Sequence, residues 1–96
     1  MPTRDVLDSF WRDWDELTAQ QQREFRRALQ KFVADLRTGR SRAGLRVKRV
    51  QGTGEIFEMT WAKDGRATFQ DGEEVLSGEP HVIWRRIGTH DIVESP

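Results

Sequence analysis

Lys48, Glu58, Arg66, Arg86 and His90 are the side chains of this 96-residue sequence whose types together can move protons at a phosphodiester. Cutting RNA with side chains alone needs a base for the 2′-hydroxyl proton, cations to stabilise the crowded phosphorane, and an acid for the departing 5′-oxygen. Glu58 is the candidate base, with Lys48 or Arg66 beside it. Arg66 and Arg86 are candidate phosphate clamps, and His90 is the candidate acid because an imidazole ordinarily titrates near neutrality. Histidine can equally serve as base, so the direction of proton flow stays open. Each residue also has a plainer use: a glutamate between two cations on a sheet makes a cross-strand ion pair, and paired arginines blunt an exposed strand edge.

The richest stretch is HVIWRRIGTHDIV, His81–Val93, where an apolar strand pattern carries Arg85, Arg86 and His90 within six residues. Such a strand implies a sheet with one face left open for polar work. On that face Trp84 would be a platform on which an unpaired base stacks. His81 reads as a loop-edge residue, and two histidines without a nearby third ligand make no metal site. The formal charge of zero hides an asymmetry: residues 1–50 hold 12 Lys and Arg against 7 Asp and Glu, and residues 51–96 hold 4 against 9. Arg37–Arg49 contains six basic residues and no acid. Local cationic density attracts polyanions even on a neutral molecule, which makes Arg42, Arg46 and Arg49, with Arg85, candidates for RNA binding. The acidic second half points to a localised groove.

These residues must be positioned by a small scaffold. Ninety-six residues make one domain, 1–96, with a single core. There is no cysteine, the N-terminus is charged where a signal peptide would be apolar, and no apolar run approaches membrane-spanning length. A cytoplasmic protein without a small-molecule cofactor or metal is expected. From Arg4 to Leu17, Val6, Leu7, Phe10, Trp11, Trp14 and Leu17 recur at helical spacing. Thr18 with Gln21 reads as a capping box, Phe25, Ala28, Leu29, Phe32, Val33 and Leu36 form a second stripe, and Gly39 ends it. A helical hairpin over 4–38 follows.

From Leu45 the period becomes two. LRVKRV, EIFEMTWA, RATFQ and HVIWRRI read as four strands within 44–93, with Asp64-Gly65 as a tight turn that tolerates positive φ. The fold class is α+β: the hairpin packs on one face of a four-stranded antiparallel sheet. Parity turns Leu45, Val47, Phe57, Met59, Trp61, Ala67 and Phe69 toward the helices. It leaves Arg46, Lys48, Glu58, Thr60, Arg66 and Thr68 on the open face. In the last strand both parities are apolar. Placing Ile83 and Ile87 inward sends Trp84, Arg86, Gly88 and His90 to the open face, with Arg85 at the core margin.

Two helices followed by LRVKRVQG, IFEMTWAKDGRATF and VIWRRIGTHDI resemble the RelE/ParE superfamily of toxins from toxin–antitoxin pairs, over nearly the whole chain from Phe10. In its RelE-like branch, the favoured one, the resemblance implies a metal-independent, ribosome-dependent endoribonuclease that cuts mRNA. In the ParE-like branch it implies a DNA gyrase inhibitor, and a third possibility is a catalytically inactive binding protein. An antitoxin partner, the ribosome and mRNA follow from the first; the oligomeric state does not. Gly88 with His90 matches the family's strand end, Arg66 the arginine after the hairpin turn, Glu58 a catalytic glutamate of some relatives, and Lys48 and Arg49 their basic residues. The chain has no tyrosine near its C-terminus, where many members carry one, and its first segment reads as helical, so the family's first edge strand is expected to be missing.

Overall fold

The computed structural model describes residues 2–96 and runs β1 (Thr3–Val6), α1 (Asp8–Glu16), α2 (Ala19–Thr38), β2 (Lys48–Arg49), β3 (Ile56–Thr60), β4 (Gly65–Gly72) and β5 (His81–Thr89). Short 3-10 turns occupy Ala43–Leu45 and His90–Glu94. The two helices lie over one face of the sheet. Thr18 caps α2 as expected, its Oγ1 accepting from the Gln21 N–H at 3.1 Å while Gln21 Oε1 accepts from the Thr18 N–H at 2.8 Å. Gly39 closes α2 in the left-handed region at φ 72°. Phe10, Phe25, Phe32, Phe69 and Trp84 interlock between helices and sheet, with Trp84 5.2–6.1 Å from the other four ring centroids. Among the described residues no helix is long and apolar enough to cross a membrane.

The sheet corrects the sequence reading in two ways, because it has five strands and is mixed, in the order β1-β5-β4-β3-β2. The missing edge strand is present: Thr3–Val6 pairs in parallel with His81–Trp84, and the helix begins only at Asp8. Val6 and Leu7 fit a helical stripe equally well, so periodicity alone could not separate strand from helix. Thr3 and Asp5, on one side of β1, hold His81 between them: Thr3 Oγ1 lies 2.7 Å from Nδ1 and Asp5 Oδ2 2.9 Å from Nε2. His81 is thus a buried strand residue, not a loop-edge one.

The expected strand LRVKRV is mostly absent. Arg46 has φ 48°, a left-handed conformation that breaks the extended run and leaves only Lys48–Arg49 paired. Gly65 does not adopt positive φ; it is needed because the Trp61 indole lies on it, and a Cβ there would sit 2.5 Å from Trp61 Cε2.

In β5 the pairing shifts by one residue, Thr68 facing Arg86 but Phe69 facing Trp84, so that Arg85 is the extra residue of a β-bulge. The bulge explains why both parities looked apolar. Trp84 and Ile87 both turn inward, one on each side of it, at 3% and 1% exposure. Ile83 instead pairs with Gln70 on the other face, which reverses the expected placement of Ile83 and Trp84. Beyond Trp84, β1 no longer covers the edge of β5, and α1 takes over. Leu7 N–H donates to Trp84 O (2.9 Å), Ser9 Oγ to Arg85 O (2.6 Å), and Ile87 N–H to Asp13 Oδ2 (3.1 Å). Backbone groups that a bulge and an edge would leave unpaired are thereby satisfied.

Candidate functional site

On the face away from the helices the register lines up one row straight across four strands: Lys48 opposite Glu58, Glu58 opposite Thr68, Thr68 opposite Arg86. Glu58 is 5% exposed, with Lys48 Nζ at 3.6 Å and Arg66 Nε at 4.0 Å from its Oε1. A carboxylate this deep in a sheet face is held by its two cations. Arg66 also donates from Nη1 to Gly65 O at 3.0 Å, which fixes the guanidinium near the hairpin end. Lys48, Glu58 and Arg66 are therefore together, on the surface that alternation assigned to them.

His90 lies past the end of β5, on the first residue of the terminal 3-10 turn, and is exposed. Ile92 of that turn packs on Gly88, where a Cβ would come within 3.0 Å of it. His90 Nδ1 is 2.5 Å from Asp64 Oδ1 and its Nε2 3.2 Å from Asp91 Oδ1. The hydrogen bond to Asp64 raises the imidazole pKa above its ordinary value, helped by the charges of Asp64 and Asp91 and opposed by Arg66. The same bond holds the Asp64 carboxyl below the usual range. Arg66 pairs with Gly88 across β4 and β5, and Gly65 with Thr89, so the Asp64–His90 pair stands at the same end of the sheet as Arg66. Asp64 was invisible as a site residue because an Asp-Gly step reads as turn chemistry first.

Arg86 shares the face but is engaged. Asp13 takes it in a bidentate pair, Nε to Oδ2 at 2.8 Å and Nη2 to Oδ1 at 2.9 Å, which raises the guanidinium pKa. Its Nη1 donates to Ser95 O at 3.2 Å. Arg85, which the bulge turns to the same side, donates from Nη1 to Gln70 Oε1 (2.5 Å) and from Nε to Pro96 O (3.1 Å). Trp84 is packed among four rings and offers no surface for a base, so the stacking platform expected from the sequence does not exist.

The basic loop contributes elsewhere. Arg46 and Arg42, with Arg27, Lys31, Lys63 and one acid, Glu24, line a groove of about 720 Å³ between α2 and the end of β3. Arg42 is bound to Asp35 through Nε and Nη2 at 2.8–3.2 Å, a contact that lowers the Asp35 pKa and raises that of Arg42. Arg49 stands apart, its guanidinium 5.5 Å above the Phe57 ring. Among the described residues no cluster of three His, Cys, Asp or Glu side chains is placed to hold a metal ion.

No protein-family model matches the chain, and no curated protein does. Solved structures do. YafQ from E. coli, in its complex with DinJ, superposes with a TM-score of 0.67 at 14% identity, covering 94% of this chain and 93% of that one. YafQ from E. coli strain BL21(DE3) gives a TM-score of 0.63 at 14% identity over 97% and 98%. A copper-bound mutant toxin from Helicobacter pylori gives 0.63 at 16% identity over 95% and 97%. The fold is that of RelE-like toxins, α+β with two helices and a mixed five-stranded sheet.

Proposed function

We propose that the chain is the toxin of a toxin–antitoxin pair and an endoribonuclease that cleaves mRNA on the ribosome by 2′-hydroxyl attack on the scissile phosphate. The observation that carries this reading is the pairing of a nearly buried Glu58, flanked by Lys48 and Arg66, with an exposed His90 bound to Asp64 at the same end of the sheet. Glu58 takes the 2′-hydroxyl proton, and Arg66 and Lys48 stabilise the charge that builds on the phosphorane. His90 protonates the leaving 5′-oxygen; Asp64 favours its protonated form, as an acid requires. These groups can carry the proton transfers without a bound metal or cofactor. Arg27, Lys31, Arg46 and Lys63 supply a cationic track for phosphate backbone outside the cutting site. The fold is also that of YafQ, which has been crystallised with its antitoxin DinJ, and an antitoxin for this chain, acting in the cytoplasm, belongs to the same reading.

Primer extension on mRNA from cells induced to make the protein tests it. New 5′-ends inside translated codons are expected, lost with Glu58→Gln or His90→Ala. Growth arrest with intact mRNA and a DNA-damage response would instead place the target at gyrase.

A further inference from the structure

We infer that the chain forms a reciprocal dimer, in which the acidic loop between β4 and β5 of each copy seats Val75 and Leu76 in an arginine-rimmed apolar groove of the other. The inference is independent of the ribonuclease reading. Among the described residues four large hydrophobic side chains are exposed, Leu7, Trp11, Val75 and Leu76, and they fall in two places. Leu7 and Trp11 lie one helical turn apart at the start of α1, beside a groove of about 280 Å³ that Trp11, Trp14 and Leu29 help to line. The charged side chains lining this groove are Arg4 and Arg26, the second with its guanidinium 5.3 Å from the Trp14 ring centroid. Val75 and Leu76 follow directly on Glu73 and Glu74, both exposed. Apolar patches rimmed by polar groups mark interaction surfaces, and these two complement each other, carboxylates against guanidiniums. The groove lies in the basic half of the chain and the loop in the acidic half.

The loop is already shaped to present its apolar pair. Gly78 turns the chain back at φ 80°, its N–H donates to Glu74 Oε2 at 3.3 Å, and Glu79 N–H donates to Leu76 O at 3.0 Å. A segment ordered in advance loses little conformational entropy on docking. A cavity of about 150 Å³ holds a benzene ring, so the groove has room for Leu76 with Val75 beside it. Position makes the contact reciprocal. The loop rejoins the sheet at Pro80, whose O accepts from Thr3 N–H at 2.9 Å, and Arg4 and Val6 of the same strand line the groove. Loop and groove therefore flank β1, which is about 10 Å from end to end at roughly 3.3 Å per residue. A two-fold axis beside β1 brings each loop to the other copy's groove, so the contact is made twice and the assembly closes. Asp8 and Asp15, three before and four after Trp11, repel carboxylates and leave the side of Arg4 and Arg26 for Glu73 and Glu74. The polar working face stays open, because the loop and His90 stand at opposite ends of β4, where Gly72 pairs with His81 and Gly65 with Thr89.

Sedimentation equilibrium of the full chain tests this. A reversible monomer–dimer equilibrium with a micromolar Kd is expected. Leu76→Asp and Trp11→Asp, each at an exposed position, should weaken it at least about tenfold, as loss of a central apolar anchor does. Reversing the loop charge with Glu73→Arg and Glu74→Arg, or the groove charge with Arg4→Glu and Arg26→Glu, should weaken it as well. The chain carrying all four reversals should regain the parent's affinity to within about threefold, because the complementarity is restored. A parent that stays monomeric to about 1 mM overturns the inference, even where the groove then takes an acidic antitoxin segment. A dimer that neither Leu76→Asp nor Trp11→Asp weakens overturns it too, as do four reversals that bind no better than two. Should an apolar variant fail to fold, the charge reversals decide alone.

Discussion

The two halves of β5 are held in opposite ways. From His81 to Trp84 the strand is paired on both edges, by β1 and β4, and its key side chains serve the fold: His81 clamps Thr3 and Asp5, and Trp84 fills the aromatic core. From Arg85 to Thr89 only β4 pairs with it, and the other edge is closed by two side chains of α1, Ser9 and Asp13, one helical turn apart. A strand inside a ladder must alternate its faces. One whose edge is closed by side chains can carry a bulge and turn Arg85 and Arg86 the same way, which is how a five-stranded scaffold this small gains a polar working face.

The sharpest way to break this comparison is to substitute one residue from each half. Trp84→Ala should lower stability by about 3–5 kcal/mol, as aromatic-to-alanine changes in cores do, measured by urea unfolding, with the folded fraction keeping its cleavage rate. His90→Ala should leave the unfolding curve within about 0.5 kcal/mol, as at other surface sites, and lower cleavage about 10²–10⁴-fold, the usual range for a lost general acid. A His90→Ala protein as unstable as Trp84→Ala would put the second half of β5 in the same structural role as the first.

Asp13→Ala tests the clamp itself. It strips Arg86 of its carboxylate partner and leaves the Ile87 N–H without that acceptor, for an expected loss of about 1–3 kcal/mol, because the pair is part-buried and partly screened. Asp13→Asn keeps an oxygen for Ile87 and should lose about half of that. Hydrogen exchange should localise the change: amides of Arg86–Thr89 lose protection while those of His81–Trp84 keep theirs. Thr3→Val, on the other half, should cost about 1 kcal/mol, the net worth of one hydrogen bond, and expose β1 amides alone.

What could be read from the sequence divides along the same line. The β3–β4 hairpin and the shared surface of Lys48, Glu58 and Arg66 were legible because alternation and a turn signal are local, and the Thr18–Gln21 cap because its two residues are three apart. β1 was not: four residues make a weak pattern, and its only partner is β5, 78 residues away between Thr3 and His81. The bulge was legible only as a contradiction, two apolar parities in HVIWRRI, and the assumption of a regular strand resolved it wrongly by turning Trp84 out. Asp13 and Asp64 left no signal, because on a helix surface and in a turn a carboxylate looks like solvent-facing polarity until a distant cation is placed against it.

The smallest expected effect is the most specific. Asp64→Asn removes the carboxylate that raises the His90 pKa but spares the fold, since both side chains are exposed. If His90 is the acid, cleavage requires it protonated, so the rate falls as pH rises through its pKa, and the raised value extends activity toward alkaline pH. Taking Asp64 away must move that alkaline limb to lower pH. If His90 is instead the base, the limb that responds is the acidic one: cleavage rises with pH, and Asp64→Asn carries that rise to lower pH and increases activity under acid conditions. The pH–rate profile of Asp64→Asn against the parent, at saturating substrate, therefore decides the direction of proton flow that residue types alone leave open, and a profile unmoved on both limbs removes His90 from proton transfer altogether.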